Sequence, residues 1–210
     1  MFMESSSALR LQEPAALNIT ARINAALDTL DLGLQRAKSP IVTTKFGPQS
    51  AVLLHLVTLV RRDIPVIWIN TGYNTPSTPK FVETVANRLD LNLHEFGPSK
   101  PWAGAIPDQD PSQMDAFSEH VKLEPFRRAL SFFEPDIWVT ALRREQTEFR
   151  SHLSLFQKGE NDILKICPVL DWRDLDMEAY LSLNQLPSEA DYFDPTKKKP
   201  HLECGLHNRL

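Results

Sequence analysis

Ile41-Val42-Thr43-Thr44-Lys45-Phe46-Gly47-Pro48-Gln49-Ser50 decides the fold. Its β-branched run predicts a short strand over 41–44. Gly47-Pro48 breaks that strand, and 50–62 reads as a helix. A strand that turns tightly into a helix is the opening unit of a parallel sheet with crossover helices. The same turn aims the first backbone N–H groups of the helix, and the positive end of its dipole, at one spot suited to an anion. Such a turn also serves as a plain structural joint, and these residues alone leave both readings open.

Outward from this stretch the alternation continues. Residues 65–69 form an unbroken apolar run, the mark of a strand buried on both faces, and Thr71-Gly72 ends it. Residues 78–89 read as a helix with Pro79 in its first turn. Residues 91–96 alternate as a strand. Residues 97–113 are rich in Pro, Asp and Gly and predict a long loop. A helix over 123–133, strands over 136–142 and 164–169, and a helix over 174–183 capped by Asp174 complete the pattern. Upstream, Ile23, Ala26, Leu27, Leu30 and Leu34 predict a helix over 19–34. The expected organisation is a leader over 1–18, one α/β domain over 19–186 with a parallel sheet flanked by helices, and a mobile C-terminal tail over 187–210.

Composition narrows the function. The chain has 210 residues and a net charge of −4, which argues against broad nucleic-acid binding. No apolar run is long enough to span a bilayer, and the first ten residues lack the pattern of a secretory signal. A cytoplasmic protein is expected. Two cysteines, Cys167 and Cys204, provide neither a disulfide framework nor a four-cysteine metal site. Basic residues cluster locally at Arg127-Arg128, Arg143-Arg144, Arg150 and Lys197-Lys198-Lys199, which suits a small anionic ligand. Arg143 and Arg144 follow a strand, where planar guanidinium groups can grip phosphate or sulfate; an ion pair with Glu145 or Glu148 is the structural alternative. Arg127 reads as a solvated residue. Cys167, inside an apolar strand, reads as a small hydrophobe. Trp68, Trp138 and Trp172 read as core, and His55 as packed on an apolar helix.

The tail carries Glu203-Cys204-Gly205-Leu206-His207. Only a thiolate is strongly nucleophilic, and nearby cations lower a thiol pKa. A reactive sulfur on a flexible arm and a free thiol on a frayed end are both consistent with the pentapeptide.

Five separated stretches carry a resemblance: Phe46-Gly47-Pro48-Gln49-Ser50-Ala51, Asn70-Thr71-Gly72-Tyr73, Lys122-Leu123-Glu124-Pro125, Leu142-Arg143-Arg144-Glu145-Gln146 and the terminal pentapeptide. In this order they resemble the sulfonucleotide reductase family, most like its 3′-phosphoadenylylsulfate (PAPS) reductases. The resemblance implies an adenine-nucleotide α-hydrolase-like, Rossmann-like fold. It implies thiol-dependent reduction of PAPS to sulfite and adenosine 3′,5′-bisphosphate in sulfate assimilation, through an S-sulfocysteine on Cys204, with thioredoxin or glutaredoxin as reductant. His207 would orient the tail or favour the thiolate. Thr43, Thr44, Lys45, Phe46, Gly47, Thr71, Gly72, Lys122, Arg143, Arg144 and Arg150 would hold the substrate.

Family members that use adenylylsulfate (APS) carry an iron–sulfur cluster on paired cysteines. Here the first pair falls on Phe117 and Ser118, so no cluster and no metal are expected. The sequence departs from the family in Lys45 for a serine, in Asn70 for an aspartate, and in a shorter segment before the pentapeptide. Two other readings stay open: an ATP-using enzyme of the same fold, disfavoured by Gln49 where a magnesium-binding aspartate would stand, and a nucleotide-binding regulatory module. The oligomeric state is open, a homodimer included.

Overall fold

The computed structural model describes residues 13–107, 110–159 and 162–196, without the side chains of 13–17 and 111. Six strands form one sheet: β1 (Pro40–Thr44), β2 (Pro65–Ile69), β3 (Asn92–Phe96), β4 (Ile137–Val139), β5 (Phe156–Lys158) and β6 (Leu164–Ile166). Their spatial order is β3-β2-β1-β4-β6-β5, and only β5 runs antiparallel. The helices are α1 (Glu13–Leu34), α2 (Ser50–Val60), α3 (Thr78–Leu89), α4 (Pro111–Ser118), α5 (Glu124–Phe133), α6 (Glu148–Ser151) and α7 (Asp174–Leu183). From β1 the chain steps to β2 and β3 on one side and to β4 and β6 on the other. The order therefore reverses between β1 and β4, where sheets of this kind open a crevice at their carboxyl ends.

Period-two alternation assigns the two faces. Val42, Val66, Trp68 and Val139 join α1, α2, α3 and α7 in one core, while Ile41, Ile67 and Trp138 join α5 in a second. Trp68, Trp138, Trp172 and Cys167 are buried as expected, and burial raises the Cys167 thiol pKa. The His55 ring lies 2.9 Å from the Tyr180 hydroxyl, and burial lowers its pKa. Arg127 is exposed beside Glu119.

Several expectations need correction. The first helix begins at Glu13 rather than 19, because Pro14 is tolerated in a first turn. The loop over 97–113 ends early: α4 starts at Pro111, and the Asp110 carboxylate accepts from the Ser112 and Gln113 N–H groups. A π-helical turn over Glu119–Leu123 joins α4 to α5. Glu124 N–H reaches back five residues to the Glu119 carbonyl, and the wide turn absorbs Pro125, which has no N–H to donate. The strand expected over 136–142 keeps only Ile137–Val139, and the one over 164–169 ends before Pro168. Asp174 does not cap α7. The cap position is Arg173, whose N–H donates to the Asp176 carboxylate, while Asp174 faces Gln49 and Arg143.

Candidate active site

The carboxyl ends of β1, β2 and β4 open into a cavity of about 750 Å³, within the size range of small-molecule sites. Its floor is the loop from Thr44 to Ser50. Phe46 anchors that loop: it adopts φ 50° and is wholly buried, edge-on to Trp68 and Phe81 at 5.6 and 6.3 Å. The left-handed turn thus costs conformational energy that the buried ring offsets. A Cβ on Gly47 would lie 3.1 Å from Cε of the flexible Lys45 side chain, so the lysine would have to shift by a few tenths of an ångström. Gln49 precedes α2 without capping it, so no side chain of its own covers the first turn, which faces the cavity. Gln49 instead donates to Asp174 at 3.0 Å and accepts from Arg143 at 2.9 Å.

Thr43, Thr44, Lys45, Gly47, Thr71, Lys122, Arg143 and Arg150 all line this one cavity. They come from β1, its loop, the end of β2, the π turn, the segment after β4, and α6. Three other expected residues stand off the wall. Phe46 is the core plug beneath the loop. Gly72, at φ 80°, shapes the turn after β2 and donates to the Asn70 side chain at 3.0 Å. Arg144 turns away, its guanidinium donating to the Leu153 carbonyl at 2.8 and 3.1 Å and pairing with Asp171. Cys204 and His207 lie outside the described residues.

The cationic groups on the wall are engaged by the protein. Arg143 is 3% exposed, and its two terminal nitrogens donate to Asp174 at 2.6 Å, Gln49, Glu145 and the Trp172 carbonyl. Hydrogen bonds from Gln49 and Arg143 hold the Asp174 pKa below its ordinary value. Arg143 therefore ties the loop below α2 to the start of α7 as well as facing the cavity. The Arg150 guanidinium donates to Gln146, and the Lys45 ammonium sits 4.7 Å over the Tyr192 ring.

The segment over 187–196, the first part of the expected tail, forms a strap along the cavity and supplies Tyr192, Asp194 and Pro195 to its wall. Lys122 donates to the Asp194 carboxylate at 3.1 Å and to the Thr196 hydroxyl at 2.9 Å. Burial raises the Asp194 pKa, but the Lys122 charge and the Thr196 hydrogen bonds outweigh it and hold the carboxyl at about 2. Sequence reading missed Gln49, Asp174, Tyr192 and Asp194 as wall residues. Only the pairing of acid and aromatic in Asp191-Tyr192-Phe193-Asp194 distinguished the strap from ordinary loop.

Asn70 has a local explanation. Its amide nitrogen donates to Glu95 at 2.7 Å while its oxygen accepts from Gly72 N–H and from Asn74. An aspartate at this position would set a second carboxylate against Glu95. Among the described residues no group of three His, Cys, Asp or Glu side chains is arranged to hold a metal ion, and no helix is long and apolar enough to cross a membrane.

Comparison with known proteins places this geometry. The model of the phosphoadenosine phosphosulfate reductase domain matches residues 39–193. The chain is 37% identical to a phosphoadenosine 5′-phosphosulfate reductase of Xanthomonas campestris pv. campestris (strain B100), over 98% of this chain and 97% of that protein. It is 34% identical to the protein of the same name from Vibrio atlanticus (strain LGP32), over 95% and 83%. The Xanthomonas alignment spans 235 positions against 210 residues here, so part of it has no counterpart in this chain. In fold, the chain is similar to the phosphoadenylyl-sulfate reductase of Candida auris in its phosphate complex, with TM-score 0.67 and 24% identity over 88% of this chain and 91% of that one. It is also similar to the FMN adenylyltransferase of Candida glabrata, with TM-score 0.60 and 18% identity over 86% and 59%. The match over most of its length, together with the shared fold, shows that this chain belongs to the phosphoadenosine phosphosulfate reductase family.

Proposed function

We propose that this protein reduces 3′-phosphoadenylylsulfate to sulfite and adenosine 3′,5′-bisphosphate in sulfate assimilation. One observation carries the reading within the family. A single cavity joins an uncapped helix start to Lys45, Lys122 and Arg150, three cations on separate elements. A nucleotide with phosphate and sulfate groups needs such a distribution of positive charge. The loop below α2 takes phosphate, Thr71 faces the nucleoside, and Lys122 takes the sulfate end.

The Cys204 thiolate attacks the sulfate sulfur. An S–S bond forms, the S–O bond to the nucleotide phosphate breaks, and the bisphosphate leaves with the electron pair. A thiolate of thioredoxin or glutaredoxin then attacks the Cys204 sulfur. Sulfite departs with the bonding pair, and the second thiol of the reductant resolves the mixed disulfide. His207 favours the thiolate or orients the tail. This chemistry needs no metal, and it suits a cytoplasmic enzyme.

The test is sulfite release from PAPS and from APS with thioredoxin. Without reductant, PAPS should add one sulfonate mass to the protein. Cys204→Ser should abolish the adduct and Cys167→Ser should retain it. Persistence of the adduct in Cys204→Ser would overturn the assignment. Equal affinity for adenosine 3′,5′-bisphosphate and adenosine 5′-monophosphate would mean that the 3′-phosphate is not read.

A further inference from the structure

Residues 187–196 are fastened across the cavity at two ends. At the first, the Glu189 carboxylate accepts from the Ser77 hydroxyl at 3.2 Å and from Asp191 N–H at 2.9 Å. Ser188 donates to the Pro48 carbonyl at 2.9 Å, and Thr75 to the Asp191 carbonyl at 2.6 Å. At the second, Asp194 lies against Lys122, with 6% and 13% of their side chains exposed. Thr196 closes a ring there: it accepts from Lys122, and both its N–H and its hydroxyl donate to Asp194, at 3.0 and 2.7 Å.

The chemistry of this second end resembles that of a bound ligand. An ammonium has three donors, and two of them go to the strap. The carboxylate supplies what a sulfate would supply at the same cation: negative charge and acceptor oxygens. Both anions cannot hold Lys122 closely in a poorly hydrated site, because like charges a few ångströms apart repel strongly there. At the first end the partners among the described residues are hydroxyl and backbone groups rather than a cation, so Glu189 does not compete with an anionic ligand in this way.

We infer that Asp194 is an internal competitor for the sulfate of the ligand: it occupies Lys122 until a sulfate-bearing nucleotide displaces it, and so lowers the affinity for such nucleotides while leaving nucleotides without the sulfate unaffected. This rests on the functional reading above, in which Lys122 takes the sulfate end. On binding, the strap releases at 194–196 and stays fastened at 188–191. Once the sulfonate has left the nucleotide, Asp194 regains Lys122 and the strap refastens.

The test is calorimetric titration in a Cys204→Ser background, which blocks turnover. Asp194→Asn should bind PAPS about ten-fold or more tighter, the scale of one charge-assisted hydrogen bond regained by the ligand. Its affinity for adenosine 3′,5′-bisphosphate should stay within about two-fold, the scatter expected of a distant substitution. Unchanged or weaker PAPS binding overturns the inference, as does an equal gain for both nucleotides. Hydrogen exchange on Cys204→Ser alone needs no change at the strap: saturating PAPS should speed exchange at the Thr196 amide and leave the Asp191 amide as it was. A slowed or unchanged Thr196 amide would count equally against it. If Cys204→Ser binds no PAPS at all, the functional reading fails instead. Inorganic sulfate then still tests the competitor, since Asp194→Asn should gain thermal stability at lower sulfate concentrations than its parent.

Discussion

The loop over 44–50 and the strap over 187–196 face each other across one cavity and are held by opposite kinds of force. The loop hangs on an apolar plug, Phe46, set among Trp68 and Phe81, and its backbone bond from Ser50 N–H to the Gly47 carbonyl spans three residues. The strap hangs on carboxylates and hydroxyls whose partners lie far along the chain, as in Lys122 with Asp194 and Ser188 with Pro48. Apolar burial is non-directional and indifferent to pH. A desolvated ion pair is directional, answers to pH, and yields to another charge. The cavity thus has one rigid wall to shape a ligand and one wall that a ligand can move.

The contrast can be broken by substitution, starting with the largest effect. Phe46→Ala should cost about 3–5 kcal/mol of stability, the range for a buried aromatic, and should weaken nucleotide binding by misplacing the loop. Chemical denaturation alongside titration would check this; a loss of affinity without loss of stability would show that Phe46 touches the ligand rather than plugging the core. The strap should respond to acid where the Phe46 plug does not. Asp194 has a folded pKa of about 2, below its ordinary 3.8. Its ionised form therefore stabilises the fold above about pH 4, and that contribution, on the order of 2 kcal/mol, is lost as pH falls through about 2. Wild type should exceed Asp194→Asn in stability at pH 6 and converge with it near pH 2; a constant gap would break the contrast.

Smaller effects sharpen it. Arg144→Ala should lower stability by about 1–2 kcal/mol through its lost carbonyl bonds and leave nucleotide affinity within about two-fold, whereas Arg143→Ala should weaken binding. Equal losses of affinity would place Arg144 at the ligand after all. Smallest is Asn70→Asp, which sets two carboxylates together at a partly exposed site. It should cost up to about 1 kcal/mol at neutral pH. A stable Asn70→Asp protein at pH 7 would remove the role given to Glu95.

The strand over 65–69 and the helices over 78–89 and 174–183 stand where the residue pattern placed them, because hydrophobic periodicity and Pro or Gly punctuation are local signals. The helix over 111–118 was hidden by its Pro-rich, polar start, and β5 by its brevity and its edge position. Lys45, Gly47 and Thr71 were legible as wall residues only through the family resemblance; a strand end and its turn did not by themselves choose among neighbours, since Phe46 and Gly72 stand off the wall. Arg143 and Arg144 were not separable. They adjoin in sequence, but a single 3₁₀ turn after Arg143 sends one guanidinium toward the cavity and the other toward Leu153.

By itself the sequence determined the α/β alternation, the anion-suited turn into α2, the family, and the presence of Cys204 in a tail too poor in cysteine for a four-thiolate metal site. The alternation and the turn follow from residue type and spacing, which act over a few residues; the family follows from the resemblance of five separated motifs in order. Only the tertiary structure decided that Asp194 sits on Lys122, that Arg143 is tied to Asp174 and Gln49, and that residues 187–196 wall the site. Those contacts join segments remote in the chain. Their partners are selected by desolvation and charge once the sheet has brought the segments together, and no local pattern encodes that choice.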